Sequence, residues 1–277
     1  MRNSLLDIRP LTGAVGAEIL DIDLAAPQPD QAWREIGQAL SDWGVIFFRD
    51  QELTPEQQMV FANHLGTISA NPNYKKVDGY EDLEEIRKEP EQRDNIGGAW
   101  HTDQTFRERP TRGTILYARE VPDFGGDTLF ISMAKAYESL SDGLKHTLEG
   151  LRARHSELRT FLKAKGGSDA GYGASGRAPR EAYHPVVIKL PENGRRVLFV
   201  NPSKTIDFEG WTEEESRNLL EFLFRHSERP EFMCRFRWRE GSMAMWDNYQ
   251  TWHYATNDYH GKRRVMHRLT VEMEMYQ

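Results

Sequence analysis

From His184 to Met273 the chain is a succession of short runs rich in β-branched and aromatic residues, separated by turns rich in glycine, proline and asparagine. His184–Leu190, Arg196–Asn201, Met233–Trp238, Ser242–Trp246 and Arg264–Met273 have the composition and length of strands, and Ile8–Pro10, Ala17–Ile22 and Gly44–Phe48 add more near the start. Strands this short and this numerous bury their apolar faces only by stacking as sheets or closing into a barrel. Helical signals sit between them. Trp33, Ile36, Leu40 and Trp43 fall on one helical face within Asp30–Trp43. Thr54, Pro55 and Gln57 make a capping box with proline at the first helical position, and Gly66 closes that element. Ser132 and Ser141 read as caps of short helices, and Thr212 with Glu215 opens one carrying Leu219, Leu220 and Leu223. The expectation is a mostly β fold with peripheral helices, a jelly-roll, cupin-like barrel. No repeat or shift in composition divides it, so residues 1–277 read as one domain. The polar stretch 71–99 and the glycine-rich stretch 163–182 are expected to be lid loops over a site.

Charge and cysteine content narrow the partners. Against 43 acidic residues stand 36 lysines and arginines, a formal charge of -7, which disfavours nucleic acid or an anionic membrane surface as the main partner. No run of 18 apolar residues offers a spanning helix. Met1–Leu11 lacks the apolar core of a signal peptide, and Cys234 alone makes no intrachain disulfide, so a reducing cytoplasm is the expected location. A single thiol supplies no metal cluster. Any metal site must come from histidines and carboxylates.

The sharpest local signal is Trp100-His101-Thr102-Asp103. In extended chain His101 and Asp103 point to one side, giving an imidazole and a carboxylate to one ion. His253, within Trp252-His253-Tyr254-Ala255, supplies a third ligand. Two histidines and one carboxylate on one face of iron leave three positions open to a co-substrate and O₂; the same set on zinc would make a hydrolase. After a turn at Asn257–Lys262, Arg264 and Arg268 lie on one face of the last strand, about 13 Å apart at ~3.3 Å per residue, enough for two separate anions.

With these residues, and with Gly44-Val45-Ile46-Phe47-Phe48-Arg49, Gly125-Gly126-Asp127-Thr128, His184-Pro185-Val186-Val187, Trp246-Asp247-Asn248 and Arg264-Val265-Met266-His267-Arg268 in the same order, the sequence resembles the taurine dioxygenase and 2,4-dichlorophenoxyacetate dioxygenase family. The resemblance spans almost the whole chain. It implies a double-stranded β-helix with Fe(II) held by His101, Asp103 and His253, and 2-oxoglutarate and O₂ as co-substrates. It implies that Arg264, assisted by Thr128, binds the distal carboxylate of 2-oxoglutarate, while Arg268 holds an acidic group on a small organic substrate. The implied reaction is decarboxylation of 2-oxoglutarate to succinate and CO₂ coupled to hydroxylation of the substrate. Homo-oligomers, dimers or tetramers, are the implied assembly.

The substrate region departs from taurine-specific members, which place polar partners for the substrate amine on the loop before the first ligand and just ahead of His-Thr-Asp. Here these read Asn71-Pro72-Asn73-Tyr74 and Ile96-Gly97-Gly98-Ala99. The glycines make room for a bulky group between Asn71, Tyr74, Phe106 and Trp252, favouring aryloxyalkanoate-like acids over sulfonates or alkyl sulfates; an amino-acid-like or natural-product acid is a further reading. The competing classes are a zinc hydrolase, indifferent to 2-oxoglutarate, and an acid-binding protein without turnover. His64, His146, His155, His184, His226, His260 and His267 read as structural.

Overall fold

The computed structural model of the protein describes residues 4–159, 162 and 178–276. Its largest sheet has nine strands among these residues, in the order β1 (Asp7–Pro10), β2 (Ala17–Leu20), β3 (Val45–Phe48), β15 (Met243–Asp247), β7 (Gly113–Glu120), β17 (Arg264–Glu272), β6 (Glu84–Lys88) and β5 (Lys75–Lys76), with β4 (Thr67–Ile68) paired on β17. All these pairings are antiparallel except that of β2 with β3. A second sheet, β14 (Met233–Phe236), β8 (Thr128–Ser132) and β16 (Thr251–Ala255), lies opposite it. Two further sets complete the β structure of the described residues: β10 (Glu181–Pro185), β9 (Arg152–Ser156) and β13 (Thr205–Phe208), and the pair β11 (Val187–Lys189) with β12 (Arg196–Leu198).

Alternation along the strands builds the core. Val45, Phe47, Ala244, Trp246, Leu116 and Met266 of the large sheet meet Phe130, Cys234 and Phe236 of the small one, so the two sheets close as a jelly roll around a shared apolar layer. Phe47 stacks on Phe236 with ring centroids 4.0 Å apart. The other face of the large sheet carries Ile46, Phe48, Ile115, Met243 and Leu269 beneath helices α1 (Asp30–Trp43) and α2 (Pro55–Leu65). Helix α1 buries Ile36 and Leu40, as their spacing predicts, and ends at Gly44 in the left-handed conformation. The Thr54–Gln57 capping box of α2 is present as read from the sequence. On the far side, α3 (Met133–Glu138), α4 (Asp142–Glu149) and α5 (Glu213–Ser227) cover the outer face of the small sheet, α5 opening with the Thr212–Glu215 capping box. Among the described residues no helix is long and apolar enough to cross a membrane.

The two stretches expected to be lid loops each touch the β structure. The stretch 71–99 is not unpatterned: it supplies β5 and β6, and the Glu84 and Lys88 side chains of β6 are buried. Of the stretch 163–182, residues 163–177 lie outside the described residues, and Glu181 and Ala182 begin β10.

His267, on β17 facing away from the two arginines, packs against α2 with its Nδ1 3.1 Å from Gln58 Oε1. Burial, with Arg119 nearby, pushes its pKa down to about 4. The unfolded chain then takes up a proton below about 6.5 that the folded chain refuses until about 4, so stability falls as pH drops through that window, by ~1.4 kcal/mol per unit. Unfolding free energies from urea titrations at pH 7 and pH 5 are expected to differ by about 2 kcal/mol from this residue. The difference should shrink in His267→Gln.

Candidate active site

The inner face between the two sheets opens into a cavity. Register explains its lining. Arg268 lies opposite Glu84 on β6 and Leu116 on β7, so these side chains share one face of the large sheet, as do Met266 and Ile86. From the small sheet, His253 sits opposite Phe130 and Ala255 opposite Thr128. The polar lining is His101, Asp103, Thr128, His253, Arg264 and Arg268. Tyr74, Ile86, Ile96, Leu116 and Trp246 supply most of the apolar wall.

His101 and His253, 152 positions apart in sequence, exchange two backbone hydrogen bonds, His253 N–H to His101 carbonyl at 2.8 Å and the reverse at 3.2 Å. This isolated bridge brings their rings to 4.0 Å between centroids. Asp103 Oδ1 stands 3.8 Å from His101 Nε2 and 3.9 Å from His253 Nε2, and one ligand atom from each of the three falls within 4.8 Å of the others. His101 Nδ1 lies 2.7 Å from the Ala99 carbonyl, which only accepts, so Nδ1 carries the proton and Nε2 presents its lone pair. Burial lowers the pKa of both histidines, keeping the imidazoles neutral. Burial opposes the charge on Asp103, yet the Arg268 guanidinium beside it holds its carboxyl well below the usual range. A converging set of two neutral imidazoles and one carboxylate is the donor chemistry a divalent iron requires.

Asp103 is oriented by Thr114, Arg268 and Asn248. Its Oδ2 accepts from Thr114 Oγ1 at 3.0 Å and Arg268 Nη2 at 2.9 Å, while its backbone N–H donates to Asn248 Oδ1 at 3.2 Å. Asn248 Nδ2 in turn donates to Thr114 Oγ1 at 2.8 Å. Asn248 stands in the Trp246-Asp247-Asn248 signature, which was a signal of sorts; Thr114 and Glu84 had none.

Arg264 is the one guanidinium here with buried nitrogens left over. Its Nε and Nη2 have no hydrogen-bond partner among the described residues, and burial lowers its pKa. Such donors call for an anion. Thr128 accepts from Trp238 Nε1 at 2.9 Å, which leaves its own hydroxyl hydrogen for another acceptor. The Gly125-Gly126 turn lets the chain cross Arg264: Gly126 has φ +68, and a Cβ there would meet Arg264 Cδ at 3.2 Å.

The remaining expected substrate residues divide. Tyr74 lines the cavity, its ring centroid 4.9 Å from the Arg268 guanidinium carbon. Phe106, Asn71 and Trp252 are not among the lining residues. Phe106 is buried beneath Arg180 and Lys204, the latter desolvated until its pKa falls to about 8. Asn71 uses its side chain to cap Asn73 and its backbone N–H to reach Glu84. Trp252 donates to the Val200 carbonyl from within the core under α5.

The chain is similar to known proteins along nearly its whole length. The family model described as taurine catabolism dioxygenase TauD, TfdA family, matches residues 7–270. An α-ketoglutarate-dependent sulfate ester dioxygenase of Pseudomonas putida is 36% identical over 98% of this chain and 90% of its own. An α-ketoglutarate-dependent 2,4-dichlorophenoxyacetate dioxygenase of Cupriavidus pinatubonensis is 31% identical over 95% of this chain and 96% of its own. The crystal structure of a taurine dioxygenase from Burkholderia xenovorans superimposes with a TM-score of 0.83 at 34% identity, covering 98% of this chain and 92% of that one.

Proposed function

Because the chain belongs to the TauD, TfdA family and is therefore an Fe(II)- and 2-oxoglutarate-dependent dioxygenase, we propose that it hydroxylates a small anionic organic substrate at a centre built from His101, Asp103 and His253. The observation that carries this reading is the convergence of that triad with the unpartnered Arg264 in one cavity. Bound iron supplies the activation of O₂ with 2-oxoglutarate as the electron source. The protein's part is positional. The neutral imidazoles and Asp103 offer lone pairs on one side, Arg264 and the Thr128 hydroxyl receive the distal carboxylate of 2-oxoglutarate, and Arg268 with Tyr74 above it receives the substrate's acid group. Ile86, Leu116 and Trp246 hold the apolar body and exclude water.

Aryloxyalkanoate-like acids fit best on the open side near His101. Gly97 has φ +85, and a Cβ there would stand 3.3 Å from His101 Cε1 and 3.5 Å from Ala255 Cβ, so glycine keeps the space beside the first ligand clear. Hydroxylation next to an ether oxygen yields a hemiacetal that falls apart to a carbonyl compound and a phenol. A second reading, a sulfate ester or sulfonate, is favoured by the 36% identity to the sulfate ester dioxygenase. Anaerobic addition of Fe(II) and 2-oxoglutarate is expected to give a visible metal-to-ligand charge-transfer band. On admitting air, succinate release should be stimulated most by aryloxyalkanoates in a panel that includes alkyl sulfates and sulfonates. No band alongside tight zinc binding would overturn the iron and 2-oxoglutarate chemistry proposed for this centre, and stimulation by alkyl sulfates alone would favour the second reading.

A further inference from the structure

The two arginines of β17 face the same cavity but differ in what already touches them. Arg264 feels the charge of Asp127, but its Nε and Nη2 hydrogen-bond to no carboxylate among the described residues. Arg268 meets two: Nη2 donates to Asp103 Oδ2 at 2.9 Å, and Nη1 donates to Glu84 Oε2. Glu84 is completely buried, on the β6 position directly across the ladder from Arg268. Its other oxygen accepts from the Asn71 backbone N–H and lies 3.4 Å from Lys76 Nζ. The carboxylate is thereby pinned from the side of the loop that carries Tyr74.

Resting on the reading that Arg268 receives the substrate's acid group, we infer that Glu84 is a resident counter-ion of Arg268 and a specificity-determining residue of the site. An arriving anion meets a guanidinium whose charge is offset before it arrives, and it must share that cation with a fixed like charge. Arg268 therefore discriminates weakly between an acid and its neutral isostere. The strong demand for an anion sits at Arg264, where the co-substrate binds. Substrate choice consequently leans on the apolar wall and on groups that accept from Arg268 without needing a full negative charge.

The test is equilibrium binding of phenoxyacetate and phenoxyacetamide, and of a sulfonate and its sulfonamide, to protein loaded anaerobically with Fe(II) and 2-oxoglutarate. The unaltered protein is expected to prefer each acid over its amide by less than about tenfold, and Glu84→Gln, which keeps the shape and an acceptor for Asn71, to raise that preference by about tenfold or more. A larger preference in the unaltered protein, or a ratio that Glu84→Gln leaves unmoved, overturns the inference. Lys76→Met loosens Glu84 from the loop while leaving it on Arg268; a rise in the ratio as large as that of Glu84→Gln would make loop anchoring the cause and overturn it too. Binding of no acid of either class to any of these proteins removes the proposed substrate class and the inference with it, whereas binding with an unmoved ratio removes the inference alone.

Discussion

Asp103→Ala is expected to lower Fe(II) affinity by more than about a hundredfold and to abolish succinate formation, since even an outer partner of a metal ligand is worth ten- to a hundredfold. Asp103 provides a ligand oxygen facing both imidazoles, and its second oxygen collects Thr114 and Arg268. Removing it takes away the ligand and the negative charge that offsets the ion. Arg268 keeps Glu84, so the variant retains a partner for its buried guanidinium and should fold. Fe(II) titration alongside near-ultraviolet circular dichroism checks both halves. An intact spectrum with unchanged affinity would show that the ion is held elsewhere.

Arg264→Ala is expected to raise the 2-oxoglutarate requirement by about a hundredfold, the equivalent of ~3 kcal/mol for lost charge-assisted hydrogen bonds in a buried setting. The substrate requirement should move far less. Arg264→Lys should recover only part, because a single ammonium does not reproduce the two-pronged guanidinium contact. Steady-state kinetics in each substrate separate these outcomes, and a larger shift in the organic acid than in 2-oxoglutarate would reverse the assignment. Arg268→Ala has no such clean signature. Its guanidinium also orients Asp103, so both substrate binding and metal affinity should suffer.

The features carried by local chemistry were legible in the sequence. The Thr54 and Thr212 capping boxes, the α1 stripe and the pairing of Arg264 with Arg268 on one strand face depend on residues a few positions apart, and each stands in the structure. The His-x-Asp pair and His253 converge in space as their residue types suggest, because few side chains can bind iron. Glu84 was not. Glu84-Glu85-Ile86-Arg87-Lys88 carries charges at four of its five positions and reads as exposed, and its burial follows from partners nearly two hundred positions away. Strand β7 was missed for a related reason: Thr114, Leu116 and Ala118 make sense only against β15 and β17 on either side. Phe106 and Trp252 were placed in the cavity by their proximity in sequence to the ligands, yet each side chain turns toward a different part of the core.

The bridge between His101 and His253 also bears on how the protein is made. The proposed metal ligands and the two arginines span residues 101 to 268, and the strands that align them close loops of more than a hundred residues, so local structure alone cannot assemble the centre during synthesis. A chain that ends before β17 has both histidines but lacks the arginine that steadies Asp103 and the arginine without a partner. On the proposed assignment, full capture of iron and 2-oxoglutarate would await the final strand, and their binding would act as a seal on completed folding, drawing the population toward finished molecules.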